Sequence, residues 1–368
     1  RRRQQSRGDL PAVLRIPAVA LAFLLRLGLG MGASLAVQSY GYDEKVQKAG
    51  YLFSDAYTRD LDAWALAQSD RPAWSSFQQD FVSDQYGGAI ALSTLIYRGL
   101  SPDAHRRFLI LILTAALPAL GLPFFWQALR KRWGQPTANL AGWLMALYPE
   151  GILLGAAQLR EPFLIGLACI AFWAVFAWRE KRWKAGLVFG AALLGMALFS
   201  WRVAAAVLGV LVICFWLEYL DDLPSRRWRA VGWIGLGVAA LGVAVLSWGW
   251  MASASAWDAA LTQSGSGWMQ KIIKEIGEGL RVPFVTVYGL AQPVLPAILV
   301  DDAAPVWKVI GLLRAGGWYA LAPFLVYAIF ATFKASPARD RRLLVGAAAA
   351  VVLWMLISSA RAGGDQWD

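Results

Sequence analysis

The chain has 368 residues, of which 58% are hydrophobic and only 16% charged. A soluble protein of this length would carry about a quarter charged residues, so the composition excludes an ordinary soluble domain and predicts an all-α, polytopic membrane protein. The net charge of +11 sits in short basic clusters between apolar runs, a distribution that reports topology and anionic lipid and argues against a nucleic-acid partner.

Helix 1 is predicted over Pro11–Ser39, following the basic N-terminal residues Arg1–Arg3, Arg7 and Arg15, with Arg26 as an intramembrane charge. Its first apolar run is too long for a cleavable signal and lacks a small-residue cleavage site. A polar loop follows, residues 40–107, and loops of that length usually carry function. Within it Val46, Ala49, Phe53, Tyr57, Leu61 and Trp64 recur at spacings of three and four. That pattern predicts a helix lying in the membrane interface with its aromatics toward lipid, and with Asp55, Asp60 and Asp62 on other faces. Tyr86–Leu100 is apolar but too short to cross, and reads as a second surface helix.

Further crossings are expected at Phe108–Leu129, Ala138–Ala157, Phe163–Trp178, Ala185–Ser200, Val203–Leu217 and Ala230–Trp250, then at Pro305–Phe333 and Leu343–Ala360. With helix 1 that makes nine, and the basic clusters at Arg130–Arg132, Arg179–Lys184, Arg226–Arg229 and Lys334–Arg342 all fall on the cytoplasmic side. Residues 251–282 form a second long outer loop, and Pro283–Val300, broken by Gly289, Pro293 and Pro296, is read as re-entrant. The expected location is the plasma membrane, with a cytoplasmic N-terminus and with both long loops and the C-terminus outside. Cys169 and Cys214 lie within apolar runs, so no disulfide is expected. His105 is the sole histidine, which is taken to exclude both a multi-histidine zinc site and a Ser-His-Asp triad.

The candidate chemistry sits on the outer face. Adjacent carboxylates at Asp43 and Glu44 can act as a general base, or bind a divalent cation, magnesium or manganese, through oxygen. Arg160, beside Glu161, and Arg202, beside Trp201, emerge on the same side against the positive-inside trend, and guanidinium forks bind phosphate bidentately. Glu150, after Pro149 inside an apolar run, needs a partner, with Arg26 one option. Asp301 and Asp302 read as a helix cap near Pro305.

A first helix, a long outer loop opening on Asp43–Glu44, two surface helices within it, further crossings and a second long loop together resemble the GT-C superfamily of membrane glycosyltransferases. Protein mannosyltransferases and bacterial aminoarabinose transferases belong to it. Leu147–Tyr148–Pro149 followed by Leu159–Arg160–Glu161 looks like the family's proline-containing helix and the polar turn after it. The resemblance covers residues 1–282 as a GT-C-like module and leaves 283–368 as a re-entrant segment with two C-terminal crossings. It implies inverting transfer of a sugar from a polyprenyl-phosphate donor. Asp43 would take the acceptor's proton with Glu44 beside it, Arg160 and Arg202 would bind the donor phosphate, and Asp84, Gln85, Tyr86 and Glu161 would surround the acceptor. Asp84–Gln85–Tyr86–Gly87–Gly88 lacks the histidine and prolines common at that place in the family, which leaves the acceptor class open. Two further readings remain beside this one: a non-enzymatic membrane subunit in a larger complex, and a lipid-linked glycan polymerase or ligase of the O-antigen type.

Overall fold

The computed structural model describes residues 15–78, 84, 86–219, 303–335 and 337–362, with isolated positions between 225 and 277. Gln85, the second long loop, the re-entrant segment, Asp301–Asp302 and most of the crossing expected at 230–250 lie outside the described residues. Among the described residues every regular element is a helix. In chain order they are α1 (Arg15–Tyr40), α2 (Lys45–Lys48), α3 (Ser54–Ala67), a 3-10 turn (Ala73–Phe77), α4 (Gly88–Leu100), α5 (Phe108–Trp133), α6 (Gln135–Leu147), α7 (Pro149–Gly155), α8 (Glu161–Ala177), α9 (Arg182–Tyr219), α10 (Pro305–Ala335) and α11 (Ala338–Ala362). Four helices, α1, α5, α9 and α10, are long and apolar enough to cross a membrane, so the chain is a helical membrane protein.

The chain divides into two compact units, one made of Arg1–Leu208 with Ile298–Gly317 and the other of Gly209–Ala297 with Trp318–Asp368. In the first, α5 packs most closely on α8, and the reason lies in two glycines. A Cβ on Gly121 would stand 2.9 Å from the Gly166 Cα, and one on Gly166 would stand 2.6 Å from the Leu117 carbonyl oxygen. Small residues let backbones approach where lipid offers no hydrophobic driving force for helix association. Around that seam Phe163 stacks on Phe199 at 4.5 Å, and Leu164, Met196 and Ala204 complete a buried cluster. In the second unit, Gly346 of α11 sits against Leu217 and Ile213, with Leu343 and Cys214 buried.

Three of the expected crossings are shaped differently from the sequence pattern. The run expected at 138–157 is split into α6 and α7, because Pro149 has no amide hydrogen to continue the helix and Tyr148 takes an extended conformation (φ −62°, ψ 119°). α9 runs through both stretches expected as separate crossings, with one non-helical residue, Ser200 (φ −165°, ψ 101°), at the boundary between them. A straight helix of 38 residues would be about 57 Å long, nearly twice the hydrocarbon thickness, and the bend at Ser200 divides it into segments of 18 and 19 residues.

The break between α6 and α7 explains Arg26. It is 2% exposed, and its guanidinium donates to the carbonyls of Ala146 and Met145, both at 3.4 Å, and of Ala22 at 2.8 Å. The first two belong to the last turn of α6, where carbonyls lose their helical partners. The charge thus serves as a C-terminal cap within the membrane. Glu150 does not pair with Arg26. It takes a bidentate ion pair from Arg314 of α10, at 2.5 and 3.0 Å.

Gly155 gives the Arg26 stem its path, since a Cβ there would lie 2.5 Å from the Arg26 Cδ, whereas a Cβ on Gly28 would meet nothing within 4 Å. Gly155→Ala is expected to destabilise the protein by about 1–3 kcal/mol through overpacking, while Gly28→Ala is neutral or stabilising. Thermal unfolding in detergent measures both, and equal melting temperatures for the two variants would contradict this account of Arg26.

Candidate functional site

The long polar segment folds as a layer of short helices, and its buried face is not the aromatic one. On α3 the buried residues are Ala56, Arg59, Asp60, Ala63 and Leu66, while Leu61 is exposed. The sequence pattern set Asp60 on a face other than the aromatic stripe, and in the structure that face is the buried one. Small residues bring α3 against α4, where Ile90, Thr94 and Tyr97 face it. Arg98 of α4 locks the pair by donating to the carbonyls of Leu66 (2.7 Å) and Ala67 (3.2 Å) at the end of α3 and of Ser69 (2.8 Å) and Arg71 (2.5 Å) in the turn after it.

At the centre of this layer is Asp60, 3% exposed. One carboxylate oxygen accepts the Tyr97 hydroxyl at 2.5 Å, and the other accepts the Tyr51 hydroxyl at 2.5 Å and the His105 Nε2 at 2.7 Å. Trp64 stacks on the His105 ring at 5.2 Å, and Tyr97 meets the ring edge-on at 5.3 Å. Burial, then the charge of Asp60, then the hydrogen bond it accepts, push the Tyr51 and Tyr97 hydroxyls well above the ordinary tyrosine range; the Arg107 guanidinium opposes this in part. Both tyrosines therefore remain donors.

Arg107 lies at the start of α5, with its guanidinium 5.3 Å from the Tyr51 ring centroid and 5.1 Å from that of Phe108. Gly50, at φ +82°, makes room: a Cβ there would fall 2.6 Å from both terminal guanidinium nitrogens. Among the described residues no carboxylate lies within ion-pair distance of Arg107. The Arg107 carbonyl accepts the Gln158 side-chain amide at 2.6 Å, and the Gln158 oxygen is buried with no partner. Arg107, Gln158, Ser34, Gly50 and Tyr51 line a cavity of about 30 Å³, room for about one water molecule.

The residues singled out from sequence divide into separate places. Asp43 is 86% exposed and pairs with Lys48, and Glu44 is the exposed N-cap of α2. Asp84 is buried and accepts the backbone amides of Tyr86 and Ala89, both at 3.2 Å, which makes it the residue that starts α4. Arg160 lies 5.0 Å from the Tyr86 ring centroid and 3.5 Å from Glu161, whose other oxygen is buried without a partner. Arg202 stands beside the bend of α9, 5.8 Å from the Trp201 ring centroid. Tyr86, Arg160 and Glu161 are thus brought together, whereas Asp43 shares no hydrogen bond or ion pair with Arg160. Among the described residues no group of three metal-ligating side chains forms, and Asp43 and Glu44 would hold a cation through their two carboxylates.

Asp60, Tyr51, Tyr97, His105, Arg107 and Gln158 were missed in sequence. The one available signal was the uniqueness of His105, which had been used only to exclude chemistry; one histidine suffices for a carboxylate–imidazole pair. Compared with protein-family models, curated proteins and solved structures, the chain matches none of them.

The raised hydroxyls give a signed pH dependence. Stabilisation from Tyr51 and Tyr97 is fully present below the ordinary tyrosine value of 10.0 and is lost as pH rises from there toward their folded values. The melting temperature of the native protein should therefore fall more steeply above about pH 10 than that of Tyr97→Phe; parallel declines would contradict it. Asp60→Ala strands three donors and is expected to cost several kcal/mol at neutral pH, at about 1–3 kcal/mol each, against about 1 kcal/mol for Tyr97→Phe.

Proposed function

We propose that this protein is a membrane glycosyltransferase of GT-C type, moving a sugar from a polyprenyl-phosphate donor to an acceptor at the outer face of the plasma membrane. The observation that carries the reading is Arg107. An arginine half-buried on two aromatic rings, with no carboxylate among the described residues at ion-pair distance, is a cation kept available for a ligand, and a guanidinium fork suits phosphate. It lines a cavity with residues of α1 and of the α7–α8 connection. Arg160, on the Tyr86 ring at the start of α8, supplies a second cation to the phosphate side, and Arg202 a third.

In this reading the chain crosses nine times and the polar layer, following the first crossing, lies outside, with Asp43 and Glu44 meeting the acceptor through its hydroxyls. Transfer is a single displacement with inversion, in which the acceptor oxygen attacks the anomeric carbon and the polyprenyl phosphate departs. Preorganised cations stabilise the charge that develops on the leaving oxygen. The exposure of Asp43 and its ion pair with Lys48 favour a second reading, a lipid-linked glycan polymerase or ligase in which the arginines are indispensable and Asp43 is not.

Membranes containing the protein are expected to transfer radiolabelled sugar from polyprenyl-phosphate donors, with Arg107→Ala reducing the rate by about 10²–10³-fold in a protein that still folds. Loss of transfer in Asp43→Asn supports the first reading, and retention the second; no donor consumption by the native protein would overturn both. Single cysteines at Asp70 and Lys181, both exposed, test the topology: the first should react with impermeant reagent from outside only, the second from inside only.

A further inference from the structure

The geometry points to His105 as the proton acceptor of the transfer reaction, with Asp60 as the positioning residue that holds its tautomer. The acceptor hydroxyl belongs to the reading above, and the inference rests on that reading to this extent; the tautomer stands on contacts alone. Asp60 accepts both tyrosine hydroxyls, and a carboxylate has no hydrogen of its own to donate. The imidazole contact at 2.7 Å then requires the hydrogen on Nε2. In the neutral ring that leaves the lone pair on Nδ1. Among the described residues Nδ1 has no hydrogen-bond partner, and the side chain keeps 26% of its surface open.

The ring cannot readily turn to offer the other nitrogen. Trp64 covers one face at 5.2 Å with an interplanar angle of 19°, and Tyr97 closes on the ring at 5.3 Å. Asp43, by contrast, is an exposed carboxylate paired with a lysine, with nothing to fix its direction. His105 is also joined to the phosphate-side cation. Tyr51 donates to the same Asp60 oxygen as His105 Nε2, while its ring carries the Arg107 guanidinium. A base and an anion-binding group are thereby held on one carboxylate–tyrosine unit.

In the step, the acceptor O–H bond breaks and its proton passes to His105 Nδ1. The oxygen's electron pair forms the new bond to the anomeric carbon, and the old anomeric C–O bond breaks with its pair leaving on the phosphate. The imidazolium is balanced by Asp60 and returns its proton to water afterwards.

Because His105 is the only histidine, a protein labelled with ¹⁵N in its imidazole reports this site without assignment. With the ring in its neutral form, the expected spectrum shows the Nε2–H tautomer with an unprotonated Nδ1. The Nδ1–H tautomer, or a mixture like that of free histidine, would overturn the inference without touching the donor reading. His105→Gln separates a structural role from a chemical one, since the glutamine amide can still donate to Asp60 but cannot take a proton. A folded His105→Gln protein with transfer reduced by about 10²-fold or more supports the inference. Transfer at the native rate overturns it while leaving the donor reading intact, and a native protein inactive with every polyprenyl-phosphate donor removes the reading and the inference together.

Discussion

The arrangement of the polar layer depends on one buried carboxylate. Asp60 could not be placed at 3% exposure without compensation, because an unsatisfied buried charge costs more than a single packing interaction returns. Three donors from three different stretches of chain meet it: Tyr51 from the turn before α3, Tyr97 from α4, and His105 from the connection to α5. The carboxylate therefore decides where α3, α4 and the start of α5 stand. Arg98 secures the same layer from the other side through four carbonyls. Satisfied networks of this kind specify one arrangement more sharply than apolar packing does.

Beneath that layer the same rule operates among the apolar helices. Arg26 would be an expensive intramembrane charge, and the carbonyls released by the α6–α7 break would be expensive orphans. Each satisfies the other. Glu150, at the first turn of α7, finds Arg314, which ties the start of α10 to the break. Trp307 of α10 donates to Gln47, whose side-chain oxygen also accepts the Tyr42 amide, so α10 holds the polar layer as well as the helices.

Much of this fold was legible in the sequence where the chain is long and apolar. α1, α5 and α10 lie where long, largely apolar runs predicted helices, since about 20 such residues have few other options. The 40–107 segment was legible as two surface helices, yet its inward face was not. Periodicity finds the apolar stripe, and in a soluble protein that stripe is buried. Against α4 the close-packed face of α3 is instead the one with Ala56 and Ala63, because small residues allow close approach. The stripe gave Asp60 another face, without showing that this face is the buried one. His105 and Arg107 were invisible for another reason: their meaning comes from Asp60 and Tyr51, 45 and 56 residues earlier in the chain, and no local pattern encodes such a pairing.

The basic residues near the polar layer can be compared by what satisfies them. Arg98 is spent on backbone carbonyls, Arg59 pairs with Asp55, and Arg160 is shared between Glu161 and a tyrosine ring. Among the described residues Arg107 differs in meeting ring faces alone, in a space that Gly50 leaves clear. A cation–π contact positions a guanidinium without neutralising it, and contributes less than an ion pair of good geometry. Its net positive charge is therefore still available at a half-buried position, where an arriving anion is screened less than at the open surface. A phosphate entering there would complete the charge balance that the fold leaves open. This reasoning gives Arg107 precedence over Arg160 and Arg202 on the donor side, although the sequence pattern had favoured those two.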